Sequence, residues 1–468
     1  MENTKEIHLK SDKMGTMPVG KLLFSMSLPA MISMLVQALY NIVDSIFVSQ
    51  YSDVAFTAVN LSYPMVMLVI AFGIGIGVGA NAQIAKRLGE GDQARANCLA
   101  RQALFMAACV YVGMVVLSFT CSGLFFSLFT DDAEIIRLGT LYLNIYMGLS
   151  IFAFIEMVCS KILQATGNMK VPMASQLIGA ITNIILDPIF INGLKIGGMQ
   201  IVPEMGIAGA AIATIIGQVC AMTFVLTVFL TRKQDVSLSL KGFRPNAKAI
   251  GEICRIGLPA MVMNAIGSVT TATLNGIIAK YMYAVDTLGI YFKTQSFIFM
   301  PVFGLTQGAL PILSYNFGAN NKKRYKQTVK LSLLTAASIM LVGFLLFQFA
   351  TPLILLMFST NAEMAPVTIH ALKTISWCFL PASCGIMIIT ILQSLGKGIH
   401  SLAMSIARQL ALLIPIAIVM DAIIGLDGVW LAYPFAEVIC VLIFVWITLS
   451  AYRKAFRQRA EIFGERKK

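Results

Sequence analysis

Twelve apolar runs of roughly 20 residues or more divide this 468-residue chain. They lie near 22–47, 55–80, 97–120, 137–160, 171–191, 207–230, 256–280, 287–314, 329–350, 366–390, 400–420 and 429–450. Inside a bilayer no water reaches the backbone, so a spanning segment must satisfy its own N–H and C=O groups. Runs of this length do so as α-helices. The pattern predicts an all-α polytopic membrane protein with twelve transmembrane helices. Composition agrees: 58% of residues are hydrophobic and 12% charged, about half the charged fraction of a soluble protein. The first run is too long for a signal-peptide core, so it is read as an uncleaved first membrane helix.

The net charge of +13 has a distribution that argues against nucleic acid. Basic residues cluster in short polar stretches, without an aromatic-interleaved basic domain. Lys5, Lys10, Lys13 and Lys21 precede the first run, and Lys86, Arg87, Arg95 and Arg101 surround the second loop. Arg232, Lys233, Lys241, Arg244, Lys248 and Arg255 mark the sixth loop, Lys322–Lys330 the eighth, and Arg453–Lys468 the carboxyl tail. The odd loops are poor in base and often acidic, with Asp53, Asp131, Asp132, Glu134, Glu204 and Glu363. The positive-inside rule then places both termini on the cytoplasmic side of the cell inner membrane, with an even number of spans between them. Nine cysteines are scattered without a CxxC pair, and His8, His370 and His400 are far apart. Neither a disulfide framework nor a metal site is expected, nor any cofactor.

The chain also repeats itself. Leu28-Pro29-Ala30-Met31 recurs as Leu258-Pro259-Ala260-Met261, Leu88–Asp92 matches Phe317–Asn321, and Phe129–Glu134 matches Phe358–Glu363. Ile162–Gly167 matches Ile391–Gly396, and Gly206–Gly209 matches Gly425–Gly428 after a loop at about 192–203 that only the first half has. Six helices per repeat make the halves parallel, related by an axis along the membrane normal, with a cavity expected between them. The expected organisation is a tail (1–20), a six-helix lobe (21–230), a linker (231–251), a second six-helix lobe (252–450) and a basic tail (451–468).

Polar residues form stripes on three helices of the first half. Gln37, Asn41 and Asp44 lie on one face of the first helix, Asn183 and Asp187 on one face of the fifth, and Thr214 and Gln218 on the sixth. At 1.5 Å per residue, Asp44, Asp187 and Thr214 each lie roughly 6–12 Å below the outer helix ends and can meet at one level. A carboxylate in lipid costs roughly 2.5–3.5 kcal/mol on insertion scales, which makes it a functional candidate by default. Two neighbouring acids resist joint ionisation, giving a protonatable site. The same oxygens, with Asn183 and Thr214, are also suited to Na⁺. Interhelical hydrogen bonding is the plainer account of Asn41, Gln37 and Gln218, but a structural bond needs no acid. The second half has no acidic counterpart: Leu274 and Ile416 fall where Asp44 and Asp187 would be, and Asn264, Thr270, Thr271, Thr273 and Asn275 are neutral.

Asp44, Asp187, Asn183, Thr214 and Asn41 are therefore the candidate ion-coupling residues. Gln37, Gln218 and Glu156 are candidate substrate contacts, with pairing to Lys161 or snorkelling as alternatives for Glu156. Glu437 aligns with Gln218, and Arg408 is read as an interfacial or cavity-wall base without an assigned role. Pro188 either opens the backbone beside Asp187 or kinks the helix near its end. Gly73, Gly75, Gly77 and Gly79 form overlapping GxxxG patterns that fit close helix packing and not a phosphate loop. The 27 methionines lend weak support to an adaptable ligand surface. No Ser/His pair or HExxH suggests an intramembrane enzyme.

Over nearly its whole length the chain resembles the multidrug and toxic compound extrusion (MATE) family. The resemblance rests on LPAM in both halves, YNIVDSIFV at 40–48, RLGEGD at 87–92, ILQATGN at 162–168, TNIILDPIF at 182–190, GIAGAAIAT at 206–214 and LSYNFGA at 313–319. The acid-bearing helices are similar to the DinF-type branch. The resemblance implies two six-helix bundles in a V, and export of lipophilic, often cationic compounds against inward H⁺ or Na⁺. It implies an ion site in the amino-terminal lobe, where Asp44, Asn183, Asp187 and Thr214 match residue by residue. The NorM-type branch has carboxylates in the carboxyl-terminal lobe, and none occurs on helices 7 or 10 here. Partners are then small molecules and membrane lipid, with a monomeric protein. The alternative is a lipid-linked oligosaccharide flippase of the same superfamily, for which extra helices or an arginine-rich cavity are expected.

Overall fold

The structure is a computed structural model that describes residues 12–196, 199–239, 241, 243–356, 358 and 363–465. At 40–46, 48–50, 53, 195, 196, 199, 200 and 462–465 it describes the backbone only. The long helices are α1 (Val19–Tyr51), α2 (Asp53–Gly89), α3 (Gln93–Ser127), α4 (Ala133–Gly148), α5 (Ile151–Ala165), α6 (Lys170–Asn192) and α7 (Gly206–Thr231). After the linker come α8 (Ala247–Ile278), α9 (Ala284–Gly318), α10 (Lys322–Phe349), α11 (Met364–Ile375) and α12 (Phe379–Ser394). The last three are α13 (Gly398–Ile406), α14 (Ile414–Ile424), joined to α13 by a π-helical stretch, and α15 (Leu426–Glu465).

Among the described residues, eleven helices are long and apolar enough to cross a membrane. The bent pair α4 and α5 supplies the twelfth when taken as one span. The continuous helix expected at 137–160 is thus broken by 45°. At the break the Ser150 hydroxyl donates back to the Met147 carbonyl at 2.7 Å, and the Leu149 and Ser150 amides bond to the Ile145 and Met147 carbonyls. The loop expected at 192–203 instead holds a small antiparallel hairpin, Leu194–Ile196 with Met199–Val202. Several helices outrun their apolar cores. Helix α2 continues to Gly89, and α15 runs through most of the expected tail to Glu465.

The repeated motifs are turn and cap chemistry. Gly91 has φ +73° and its counterpart Asn320 has φ +53°, a left-handed conformation that only Gly, Asn and Asp visit readily. The next residue in each copy caps a helix: Asp92 accepts from the Arg95 amide at 2.9 Å and Asn321 from the Arg324 amide at 3.1 Å. Gly167 and Gly396 form a second matched left-handed pair, and Gly206 and Gly425 a third.

By contact the chain divides into two units. The first contains 32–84 and 92–257; the second contains 13–31, 85–91 and 258–468. Three helices therefore change unit along their length: α1 after Met31, α2 after Ile84 and α8 after Gly257. The LPAM prolines, Pro29 and Pro259, stand inside α1 and α8 beside two of these crossings.

In the first unit the glycine stripe of α2 packs two different helices. Gly73 and Gly77 face α5, where an added Cβ would lie 2.7 Å from Met157 Sδ and 2.6 Å from Lys161 Cγ. Gly75 and Gly79 face α8: a Cβ on Gly257 would lie 2.6 Å from the Gly75 carbonyl, and one on Gly79 would strike the Ile253 carbonyl. Close packing is thus the role of the GxxxG patterns. Gln83 Nε2 donates to the Glu252 carbonyl at 3.2 Å, and Arg95 pairs with the Glu252 carboxylate at 2.8 Å.

In the second unit, Arg324 Nη2 holds the chain start through the Met17 carbonyl at 2.6 Å. Arg459 pairs with the buried Glu90 carboxylate at 2.6 Å and donates to the Gly318 carbonyl at 2.7 Å. At the opposite helix ends, Lys280 Nζ meets Asp421 Oδ2 at 2.5 Å and the Tyr281 hydroxyl donates to Oδ1 at 2.8 Å. The hydrogen bond to that carboxylate raises the Lys280 pKa above its ordinary value.

A glycine test follows. Gly79→Ala should cost about 1–3 kcal/mol through overpacking against carbonyl backbone, read as a lower melting temperature in detergent. Gly113→Ala on α3, where a Cβ meets nothing within 4 Å, should leave the melt unchanged or raise it.

Candidate functional site

Two helices with small residues on their facing sides build the site. A Cβ on Gly217 of α7 would lie 2.7 Å from the Gly179 carbonyl of α6, and one on Gly209 would press into the Phe190 carbonyl. Glycines above and below let the two backbones approach, so short polar side chains between them can meet.

Asn183 is the junction. Its Nδ2 donates to Asp187 Oδ1 at 3.1 Å on the same helix and to Thr214 Oγ1 at 3.2 Å across to α7. Thr214 Oγ1 in turn donates to the Ala210 carbonyl at 3.0 Å. Asp187 is 0% exposed and Asn183 2%. Asn183 Oδ1 is buried and, among the described residues, accepts no hydrogen bond. Helix α6 runs through Pro188 to Asn192, so Pro188 does not end it. Lacking an N–H, this proline cannot donate to the Ile184 carbonyl one turn below, beside the carboxylate. Carboxylate, amide and hydroxyl oxygens thus converge near one end of the helix pair, a donor set suited to a proton or a small hard cation.

Three of the five proposed ion-coupling residues are therefore together: Asn183, Asp187 and Thr214. Asp44 and Asn41 lie on the helical backbone of α1, and their side chains fall outside the described residues. Of the substrate candidates, Gln218 stands one turn along α7 from Thr214, with Oε1 buried and unpartnered among the described residues. Gln37 is half-buried on α1.

Glu156 belongs to another level. Its Oε1 accepts from the Ser160 hydroxyl at 2.8 Å and the Ser175 hydroxyl at 2.9 Å. Ser175 precedes Asp187 by twelve residues on α6, about 18 Å along the axis, so Glu156 and the Asp187 cluster are separate. The two serines were missed in the sequence, although Ser160 stands one helical turn after Glu156.

Thr214 can be tested directly. Thr214→Val removes the acceptor and leaves an Asn183 N–H buried without a partner, an expected cost of about 1–3 kcal/mol. Thr214→Ser should retain most of the stability. Thermal unfolding of the purified variants reads the difference.

The MatE family model matches this chain twice, at residues 29–189 and 259–419, at the offset at which its motifs repeat. Multidrug export protein MepA of Staphylococcus aureus (strain MSSA476) is 27% identical over 427 residues, covering 91% of this chain and 92% of that protein. MepA of Staphylococcus haemolyticus (strain JCSC1435) is 27% identical over 446 residues, covering 95% and 96%. A solved multidrug resistance MATE family transporter of the MOP superfamily, in an outward-facing conformation, superposes with a TM-score of 0.88 at 24% identity, covering 96% of this chain and 99% of that one. That likeness establishes the fold. The chain belongs to the MatE family, whose members are multi-pass membrane transporters and not enzymes.

Proposed function

We propose that this chain is a secondary multidrug antiporter. It exports lipophilic, often cationic compounds in exchange for inward H⁺ or Na⁺, from a monomer in the cell inner membrane with both termini cytoplasmic. The reading draws its export chemistry from relatives named as multidrug export proteins. The observation that carries the coupling is the fully buried Asp187 carboxylate, hydrogen-bonded to an Asn183 that also reaches Thr214.

A buried carboxylate is costly when charged and uncompensated. Binding a proton removes the charge, and binding Na⁺ balances it. Either event changes the stability of the packing around α6 and α7. For coupling, the ion must bind one cleft orientation better than the other, and the drug must have the opposite preference. Asp44 and Asn41 of α1 are proposed to complete the ion site with Asn183, Asp187 and Thr214. Gln37, Gln218 and Glu156 are proposed to contact substrate in the amino-terminal six-helix lobe, 21–230. The lobe at 252–450, without matching acids, is proposed to complete the cleft.

Tetraphenylphosphonium flux in proteoliposomes, with pH and Na⁺ gradients imposed separately, tests this. One of the two gradients, imposed alone, should drive the drug against its own gradient and so name the coupling ion. Asp187→Asn should fold with a normal gel-filtration profile and lose gradient-driven flux by at least about tenfold, a transition-free-energy change of about 1.4 kcal/mol or more. Full flux in that variant refutes the assignment of Asp187.

A further inference from the structure

The second unit holds a cavity that the coupling site does not use. It has a volume of about 320 Å³ and lies among α8, α9, the Ser376–Cys378 turn, the π-helical stretch and α15. Part of its wall is aromatic, from Tyr291, Phe292, Phe299 and Phe303. The rest is mostly neutral, with Thr270, Gln295 and Gln409 among its polar groups, and carries one ion pair: Arg408 Nε stands 3.2 Å from Glu437 Oε1, with 16% and 13% of their side chains exposed.

Several independent features show a site built to take a partner. Arg408 Nη1, Glu437 Oε2 and the Tyr433 hydroxyl are buried without a hydrogen-bond partner among the described residues, while Arg408 Nε is taken up by Glu437 Oε1. Native proteins seldom leave three such atoms so close together unless something else satisfies them. The backbone is also specialised here. Ala407–Leu413 is π-helical, an uncommon widening that concentrates at functional sites. Pro415, just beyond, removes a helical donor and crowds the carbonyl one turn back. Gly385 of α12 faces the pair: a Cβ there would lie 3.6 Å from both Arg408 Nη1 and Glu437 Oε2. The unsatisfied ends of the two charges therefore both lie beside Gly385.

The charge pattern selects the ligand. A pure cation would be repelled by Arg408, and a pure anion by Glu437. A molecule bearing both charges can exchange the internal pair for two external ones. Because Arg408 and Glu437 touch, the ligand's own charges must sit on adjacent atoms, as in an α-amino acid. The aromatic wall supplies the apolar half of the site. Its volume, at the lower end of the roughly 300–1,000 Å³ of ligand pockets, limits the body to about one aromatic group. We propose that this cavity binds aromatic α-amino acids or zwitterions built like them. The carboxylate lies on Arg408 and the Tyr433 hydroxyl, the ammonium on Glu437, and the ring against Phe292, Phe299 and Phe303.

The proposal concerns binding and is independent of gradient-driven flux. Isothermal titration calorimetry on the purified full chain in detergent tests it with three probes: L-tryptophan, its methyl ester as a pure cation, and N-acetyl-L-tryptophan as a pure anion. L-tryptophan should bind at least about tenfold tighter than either, a gap of about 1.4 kcal/mol. Tyr433→Phe should weaken L-tryptophan several-fold without lowering the melting temperature. Arg408→Gln combined with Glu437→Gln keeps side-chain length without charge and should abolish the preference for the zwitterion. No binding of L-tryptophan, equal binding of all three probes, or an unchanged preference in the folded double variant overturns the proposal. Should the double variant fail to fold, Tyr433→Phe decides: unaltered L-tryptophan affinity overturns it.

Discussion

The polar cluster of α6 and α7 is held in place by helices that pack closer than ordinary side chains allow. Lipid gives no hydrophobic reward for pressing one apolar helix on another, so contact area and hydrogen bonds must do it. Gly179, Gly209 and Gly217 bring α6 and α7 near enough for Asn183 to reach Thr214 with one short amide. On α2, glycines at alternate positions seat α5 on one side and α8 on the other. Had Gly179, Gly209 and Gly217 been larger, the bond from Asn183 across to Thr214 would be lost, and only the bond within α6 would tie Asn183 to Asp187.

The two units use polar groups differently. In the first, the buried Asp187 accepts from the Asn183 amide, and the half-buried Glu156 accepts from two serine hydroxyls with Lys161 within electrostatic reach. In the second, buried charges occur as opposed partners: Glu90 with Arg459, and Glu437 with Arg408. Removing one member of such a pair leaves the other exposed to the full cost of burial. Neutrally solvated acids suit an exchangeable ion, whereas fixed pairs suit architecture or a ligand that brings both charges itself.

The sequence was legible wherever a single rule dominated. Bilayer thickness makes the apolar runs helices, and the repeat of LPAM, of the loop caps Asp92 and Asn321, and of the left-handed Gly91 and Asn320 predicts matched turns. The i, i+4 spacing of Asn183 and Asp187 placed them on one face, where they are bonded. Other features rest on side chains distant along the chain. The apolar run at 137–160 carries no mark of the break between α4 and α5 at Leu149–Ser150. Glu156 is fixed by Ser175 on the next helix, and periodicity says nothing of which helices touch. The division into units was also hidden, because α1, α2 and α8 each belong to both and no change of composition marks the crossing.

By itself, then, the sequence determined that this is a polytopic, predominantly helical protein built from two repeats, with the acid-and-amide stripe of Asn183 and Asp187 occurring in the first only. Hydrophobicity, turn chemistry and the cost of a carboxylate in lipid act locally, so a one-dimensional pattern records them. Only the tertiary structure decided that Asn183 spends its two donors on Asp187 and Thr214, that Glu156 lies at a different level, and that Arg408 meets Glu437 beside a cavity. Those arrangements depend on interhelical distances set by glycines and on a π-helical widening. Such shifts of an ångström or two leave no mark in the order of the residues.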